Sequence, residues 1–115
     1  MTNIKKLTEK IKKFRDERDW MQFHNHKDMA ISLVLEAVEV LEHFQWKSSE
    51  EIEEYVKTNK EEIGEELADV AIYLFELADN VGVDLIEAAE KKLEKNAKKY
   101  PTEKAKGKHI KYNKL

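Results

Sequence analysis

Residues that break helices are almost absent from this chain, which has 3 Gly and 1 Pro among its 115 residues. Tight turns depend on such residues, so a sandwich or barrel of many short strands is disfavoured. The length corresponds to one domain. The absence of Cys excludes a disulfide scaffold, a thiolate metal site and a cysteine nucleophile. We therefore expect an all-α domain.

Apolar residues recur at helical spacing, and capping residues precede most of the segments that contain them. We expect Thr2 or Asn3, Asp28, Ser48 or Ser49, and Asp84 to cap these helices. Four helices with short connections are typical of a four-helix bundle. With 39% charged residues, the apolar stripes are narrow, so we expect another subunit to complete the core. The predicted helices cover residues 4–18, 29–44, 60–80 and 85–99, with a short additional helix at 49–57.

Charge is distributed unevenly along the chain. Residues 95–115 contain eight Lys and one acid, Glu103, whereas the whole chain has a formal net charge of −3. We divide the chain into a helical domain at 1–101 and a Lys-rich tail at 102–115, interpreted as solvated and partly disordered. A nucleic-acid-binding arm would contain Arg and more aromatic residues, and the rest of the chain is acidic. We therefore expect no nucleic-acid partner.

Apolar runs are short throughout the sequence. None approaches the roughly 20 residues of a membrane span, and the N-terminal segment MTNIKKLTEKIKKF lacks the apolar stretch of a signal peptide. These features favour a soluble, cytoplasmic protein with no membrane partner.

Four carboxylates stand in otherwise apolar surroundings. Glu36 and Glu39 are the only charges in MAISLVLEAVEVL (29–41), and Asp69 is the only charge in LADVAIYLF (67–75), directly after Glu66. Each pair has i,i+3 spacing and so projects from one helix face. Such apolar helices are expected to be buried, where carboxylates are costly unless they are compensated. Two such faces brought together predict a cluster that takes up protons or binds a cation.

Oxygen ligands without Cys select Mg²⁺, with Mn²⁺ as a substitute, over zinc. The alternative is that the four carboxylates form buried structural ion pairs. A di-iron bundle would require Glu-x-x-His, and no His of this chain has a Glu three residues before it.

Other candidate site residues are aromatic or basic. Trp20 and Trp46 lie beside helix ends, where a nucleotide base could stack, although each could equally be a core or interface aromatic. Tyr73 lies two helical turns after Glu66 on the same face. His24 could hydrogen-bond a nucleotide. Lys92 and Asn96 could contact phosphate oxygens, because no glycine-rich phosphate loop is present.

The arrangement E36-x-x-E39, a 26-residue gap and E66-x-x-D69 resembles the metal motif of the MazG-like all-α nucleotide pyrophosphohydrolases. Within that superfamily, four segments resemble the dCTP pyrophosphatase branch. They are FRDERDWMQFH (14–24), EAVEVLEHFQWK (36–47), EELADVAIYL (65–74) and KNAKKYP (95–101).

The resemblance implies Mg²⁺-dependent hydrolysis of a nucleoside triphosphate, with dCTP or a modified dCTP favoured, to a monophosphate and pyrophosphate. Such an activity cleanses the nucleotide pool. Glu36, Glu39, Glu66 and Asp69 would be metal ligands, and Glu39 or Glu36 would act in catalysis, Glu39 being our choice of general base. The implied fold is a four-helix bundle assembling as a dimer or as a dimer-of-dimers tetramer. The residues placed around the nucleotide are Trp20, His24, Trp46, Tyr73, Lys92 and Asn96.

Two positions depart from the pattern of this branch. Ile11 stands where the branch places a histidine near the base, and the first acidic motif, EAVE, lacks the glycine often found inside it. Two alternative functions follow: a dUTP-cleaving relative on the same scaffold, and a non-catalytic helical oligomer that binds nucleotides.

Overall fold

The computed structural model describes residues 3–114, and within that range its regular structure is helical, with no strand. The predicted all-α fold is confirmed. Short 3-10 turns occur at Met21–Phe23 and Tyr112–Lys114. None of the helices in the described range is long and apolar enough to cross a membrane. The helices are α1 (Ile4–Glu17), α2 (His26–Glu42), α3 (Ser49–Thr58), α4 (Lys60–Asn80), α5 (Leu85–Lys99) and α6 (Thr102–Ala105).

Polar side chains start several helices where the sequence predicts. Asn3 caps α1 by accepting a hydrogen bond from the Lys6 backbone N–H at 2.9 Å; Thr2, the alternative cap, lies outside the described residues. Ser48 and Glu51 form a capping box at the start of α3. Each cap satisfies backbone donors that have no partner within the first helical turn.

Helix α2 begins three residues earlier than predicted. The cap is Asn25, whose side chain accepts from the Asp28 backbone N–H at 2.8 Å, so Asp28 lies in the first turn. Asp28 still suits the start of the helix, because its carboxylate faces the positive end of the helix dipole and accepts from Asn25 Nδ2 at 2.7 Å. The predicted Asp28 cap was therefore wrong by one turn.

The part of the chain up to Gly82 forms one compact unit around α4. Helix α4 packs most extensively against α2 and also against α1 and α3. The apolar residues buried in it are few: Ile11 from α1, Met29 from α2, and Ile63 and Ala78 from α4. Packing of α2 against α4 matters for function, because these two helices carry the four acidic candidates.

Within a single chain α2 is not buried all round, so its expected burial stays a prediction for the assembled protein. Met29 is its one buried residue. A helix that packs mainly on one neighbour buries one face, and the other face of α2 is exposed within a single chain. The exposed residues of that face are Ile31, Val34, Leu35, Val38 and Leu41, at 42–61% exposure; we call them the α2 apolar face.

The part from Val83 onward is a second unit, formed by α5, α6 and the tail. Asp84 caps α5 as predicted, accepting from the Glu87 backbone N–H at 3.1 Å. The tail makes contacts with α5 through aromatic and basic side chains, and its partial disorder stays a prediction. Tyr112 packs edge-on against Tyr100 with ring centroids 6.1 Å apart, and Lys99 Nζ lies 4.9 Å from the centre of the Tyr112 ring. Aromatic packing of this kind offsets the solvation that favours a disordered Lys-rich end. The domain boundary at residue 101 stays a prediction.

Candidate metal centre

Four carboxylates from α2 and α4 converge at one point. Helix α2 supplies Glu36 and Glu39, and α4 supplies Glu66 and Asp69. One carboxylate oxygen of each lies within 4.8 Å of the corresponding oxygens of the other three. The i,i+3 spacing turns both acids of a pair toward the partner helix. The convergence therefore follows from the sequence spacing and the α2–α4 packing.

Two of these carboxylates have an oxygen that lacks any compensating contact. Glu36 and Glu66 are half-buried, and the Oε2 atom of each is buried without a hydrogen-bond partner. A buried charged oxygen without a partner is unfavourable. The ion pairs of the described residues include none of the four carboxylates. The structural ion-pair alternative is therefore not supported within residues 3–114.

The crowding of these acids raises two pKa values. The hydrogen bond that a protonated Glu66 shares with Glu39 raises the pKa of Glu66 to about 7, together with burial and repulsion from the other three acids. Burial, followed by repulsion from Glu39 and Asp69, raises the pKa of Glu36. A cluster with these properties binds protons or a cation in order to remain stable.

The donor set fits a hard divalent cation. Oxygen ligands lie about 2.1 Å from Mg²⁺, so two on opposite sides are about 4.2 Å apart. The 4.8 Å spread of the four oxygens is close to that span. A cation at this point would also give the orphaned oxygens of Glu36 and Glu66 a partner.

A cavity of about 330 Å³ opens beside the cluster. Glu39 and Glu66 form part of its wall. The other lining residues are Glu42, His43 and Tyr55, which the sequence analysis missed. His43 Nδ1 lies 2.6 Å from the Tyr55 hydroxyl. Glu42 and His43 follow Glu39 by three and four residues, so helical spacing could have identified them, whereas Tyr55 comes from α3.

The predicted substrate-binding aromatics have different surroundings. Tyr73 is half-buried on α4. Trp46 is 92% exposed and has a positive φ of 67°, so it is not a core residue of this chain, and a bulky side chain at positive φ is uncommon. Trp20 is 42% exposed and packs edge-on against Phe14 at 5.8 Å.

His24 lies in a buried polar cluster that the sequence analysis missed. Its Nδ1 atom is 2.7 Å from Glu76 Oε2. Arg15 Nη1 lies 3.6 Å from that same oxygen, and Asn80 Nδ2 donates to it at 3.4 Å. No local pattern could have indicated the contact between His24 and Glu76, which are 52 residues apart.

The two predicted phosphate contacts lie on the second unit. Lys92 and Asn96 share one face of α5 because they are four residues apart. Lys92 is exposed and Asn96 is half-buried. Their roles stay predictions. Ile11, where the resembled branch has a histidine, is 8% exposed and belongs to the core.

The all-α fold and the i,i+3 acid pairs on α2 and α4 place this chain among helical proteins with a candidate divalent-metal centre. The chain belongs to the MazG-like family, whose model matches residues 31–115.

Several relatives are similar to this chain. It is 41% identical to dCTP pyrophosphatase 1 of Mus musculus and 38% identical to that of Homo sapiens, each over 104 residues and 89% of this chain. The chain spans 61% of the length of both relatives. A solved structure of a pyrophosphatase from Archaeoglobus fulgidus matches with a TM-score of 0.83 and 42% identity, covering 88% of this chain and 94% of that one. The resemblance found in the sequence is thereby confirmed.

Proposed function

We propose that this chain is a Mg²⁺-dependent pyrophosphohydrolase that converts a nucleoside triphosphate and water to the monophosphate and pyrophosphate. The observation that carries this proposal is the convergence of Glu36, Glu39, Glu66 and Asp69 within 4.8 Å, two of them with orphaned buried oxygens. The pyrophosphatase from Archaeoglobus fulgidus and the dCTP pyrophosphatases support the reaction class.

The same four carboxylates would hold the divalent ion. When bound, Mg²⁺ would neutralise charge on the phosphoryl oxygens and lower the pKa of water; Mn²⁺ is the expected substitute. The cluster is an anionic surface on its own, so it repels a bare triphosphate. A cation would therefore have to bind to these four acids before the triphosphate could approach them.

A general base must accept the proton of the attacking water. We assign this role to Glu39, with Glu36 as the second catalytic candidate. Glu39 is exposed and lines the cavity beside the cluster, so a water molecule can reach it. Attack on the α-phosphorus forms a new P–O bond and breaks the bond to the bridging oxygen, and pyrophosphate leaves with that oxygen. Glu36, with one oxygen already buried, is better suited to a fixed ligand.

Aromatic and polar residues would hold the nucleoside. Trp46 offers a solvent-facing ring at a strained backbone position, which suits stacking on a base. We assign Trp20, His24 and Tyr73 to the same nucleoside, with Trp46 supplied by a second copy of the chain, because His24 and Trp46 lie at opposite ends of α2. We assign Lys92 and Asn96 to the phosphate chain.

The α2 apolar face supports a homo-oligomer. Its five residues are all 42–61% exposed, and a contiguous apolar surface of this kind marks an interaction site. A second copy of the chain would cover it in a dimer or in a dimer-of-dimers tetramer. A cytoplasmic location, where the nucleotide pool resides, forms part of the same proposal.

The dCTP pyrophosphatase relatives support dCTP or a modified dCTP as the preferred substrate, with nucleotide-pool cleansing as the role. A dUTP-cleaving activity would share the metal centre and differ in the base. A non-catalytic nucleotide-binding oligomer would leave the four converging acids without a purpose.

Product analysis tests the proposal. Wild type, Glu39→Ala and the exposed control Glu53→Ala are incubated with a panel of deoxyribonucleoside and ribonucleoside triphosphates, with Mg²⁺ or with EDTA. We expect Mg²⁺-dependent release of monophosphate and pyrophosphate by wild type and Glu53→Ala. Glu39→Ala should lose at least about a hundredfold in turnover, the low end for a general base, while keeping its helical circular dichroism.

Release of orthophosphate would contradict the assigned products. A dUTP maximum would favour the alternative substrate. Absence of turnover with every triphosphate and with modified dCTP, in a folded sample containing Mg²⁺, would overturn the enzyme proposal.

A further inference from the structure

The buried carboxylate of Glu76 has no place in the metal centre, yet it is the hub of a polar cluster. Glu76 is 3% exposed. Its Oε2 atom lies 2.7 Å from His24 Nδ1, 3.6 Å from Arg15 Nη1 and 3.4 Å from Asn80 Nδ2. These partners come from the α1–α2 connection, from α1 and from α4. The cluster thus ties the otherwise irregular His24 segment to the bundle.

The chemistry of this contact determines which nitrogen of His24 carries a proton. An ionised carboxylate only accepts hydrogen bonds, so Nδ1 of His24 must donate. Arg15 supplies a positive charge to the buried carboxylate and is itself held by Asp16, whose Oδ1 accepts from Arg15 Nε at 2.8 Å. In the neutral ring, a proton on Nδ1 leaves Nε2 with a free lone pair.

Nε2 is available to a ligand. The hydrogen bonds of residues 3–114 give it no partner, and it is not among the buried orphaned atoms of that range. The His24 side chain is 18% exposed. Glu76 therefore holds the His24 ring at Nδ1, and Nε2 is free to accept a hydrogen bond from a ligand.

Glu76 also shares a helix face with the metal centre. At about 100° per residue, Glu66, Asp69, Tyr73, Glu76 and Asn80 fall within an arc of about 80° on α4. Glu76 lies about 10 Å farther along the axis than Asp69, at about 1.5 Å per residue. With its phosphates at the acid cluster, a nucleotide would bring its base to the exposed edge of the His24 ring, because Glu76 itself is 3% exposed and closed to a ligand.

We propose that Glu76 is a positioning residue that fixes His24 with Nδ1 protonated, so that Nε2 presents a hydrogen-bond acceptor and selects bases with an exocyclic amino group. This inference rests on the proposed function and deepens it. Cytosine and adenine carry an amino donor where thymine and uracil carry an oxo acceptor. An acceptor on His24 pairs with the first group and repels the second.

Two measurements test this proposal. Nitrogen-15 NMR of the His24 ring reports which nitrogen is protonated, at a pH at which the ring is neutral. Binding of dCMP and dUMP to the full chain reports base selectivity, and monophosphates are not consumed. The variants are Glu76→Gln, which can also donate to Nδ1 and so releases the tautomer, and His24→Ala. Asp79→Asn is the matched control, because Asp79 joins α4 to Lys12 of α1 at 3.4 Å without contacting His24.

We expect a protonated Nδ1 in wild type and in Asp79→Asn, with a mixture of tautomers in Glu76→Gln. The preference for dCMP over dUMP should be about fivefold or more in wild type, the size of one hydrogen bond gained or lost. It should fall toward unity in Glu76→Gln and in His24→Ala, and the double variant should show no further loss. If Glu76→Gln does not fold, the wild-type spectrum still tests the tautomer of His24, and His24→Ala still tests the preference for dCMP over dUMP.

A proton on Nε2 in wild type would overturn the proposal, as would an equal preference for dCMP and dUMP in wild type or an unchanged preference in both variants. Failure of the proposed function is seen separately, as absent triphosphate turnover in a protein whose His24 tautomer and monophosphate preference follow these expectations.

Discussion

At the scale of single residues, Glu66 connects the acid cluster to the stability of the protein. Its pKa of about 7 means that the folded protein holds a proton there over a range of pH in which the unfolded chain, with an ordinary value of 4.5, has lost it. Proton binding favours whichever state binds more protons. The folded state without added metal is therefore favoured at low pH with respect to this group.

The raised pKa of Glu66 determines the direction in which the free energy of unfolding changes with pH. Without added metal, the free energy of unfolding should fall as the pH rises from about 4.5 to about 7 and then level off, because the folded state must give up its extra proton. Glu66→Gln should flatten this slope and raise the melting temperature above pH 7. Thermal melts in EDTA across this range, with exposed Glu53→Gln as the control, provide the measurement. A slope that persists unchanged in Glu66→Gln would contradict the assignment.

A second prediction at the scale of single residues concerns Trp46. A left-handed backbone costs a non-glycine residue about 1–2 kcal/mol, and the ring is 92% exposed. Trp46→Gly should therefore leave the free energy of unfolding unchanged or raise it by up to about 1 kcal/mol. The KM for the triphosphate should rise about tenfold or more through loss of base stacking.

Trp46→Phe is the control for stacking, and it should keep most of the affinity. Urea denaturation and steady-state kinetics on all three proteins provide the comparison. A Trp46→Gly protein that is destabilised by more than about 1 kcal/mol, and keeps its KM, would show that the ring serves the fold instead.

Sequence spacing identified the acid cluster but not the Glu76 cluster. Two i,i+3 pairs within apolar helices are a local signal, visible in one dimension. Glu76 stands between Phe75 and Leu77 in an apolar stretch of α4, but its partners Arg15 and His24 are distant in sequence. Only the packing of α1 and the α1–α2 connection on α4 brings them together.

At the scale of elements, side-chain caps explain where α1, α2, α3 and α5 begin. Helix α4 runs over Lys60–Asn80, as predicted, because its apolar period is long and Gly82, with a φ of 77°, follows its C-terminal end. The start of α2 was misplaced because Asn25 and Asp28 are both good caps, and the sequence does not say which side chain accepts. The structure shows that Asn25 does.

Because Asn25 is the cap and Asp28 is not, we expect substitutions at these two positions to lower the free energy of unfolding by different amounts. Asn25→Ala should lower the free energy of unfolding by about 1 kcal/mol, the usual loss on removing a cap. Asp28→Asn keeps an acceptor for Asn25 and loses only a charge near the helix dipole, so it should cost about 0.3–0.5 kcal/mol. Urea denaturation of both variants is the measurement. A larger loss in Asp28→Asn than in Asn25→Ala would restore Asp28 as the cap.

At the scale of the whole molecule, the apolar surface of α2 exceeds what one chain buries. The sequence correctly indicated that apolar residues concentrate on this helix, but periodicity does not distinguish a face buried within the chain from one covered by a second copy. The exposure of Val34 and Leu35, at 61% and 59%, favours the second copy.

A charge on that face should therefore disrupt assembly. Val34→Glu should shift the molar mass measured by light scattering during size-exclusion chromatography from an oligomer toward a single chain, because a buried unpaired charge costs several kcal/mol. Lys10→Glu, an exposed change on α1, should leave the mass unchanged. A wild-type protein that is already a single chain, or a Val34→Glu protein with wild-type mass, would contradict this prediction.

The most direct test of the account is cation binding by the four-acid cluster. Titration with Mn²⁺, followed by electron paramagnetic resonance of the free ion, measures affinity without any substrate. We predict saturable binding by wild type and by exposed Glu53→Gln, competition by Mg²⁺, and an affinity at least about tenfold weaker in Glu66→Gln. Equal binding by all three proteins, or no saturable binding by wild type, would contradict it.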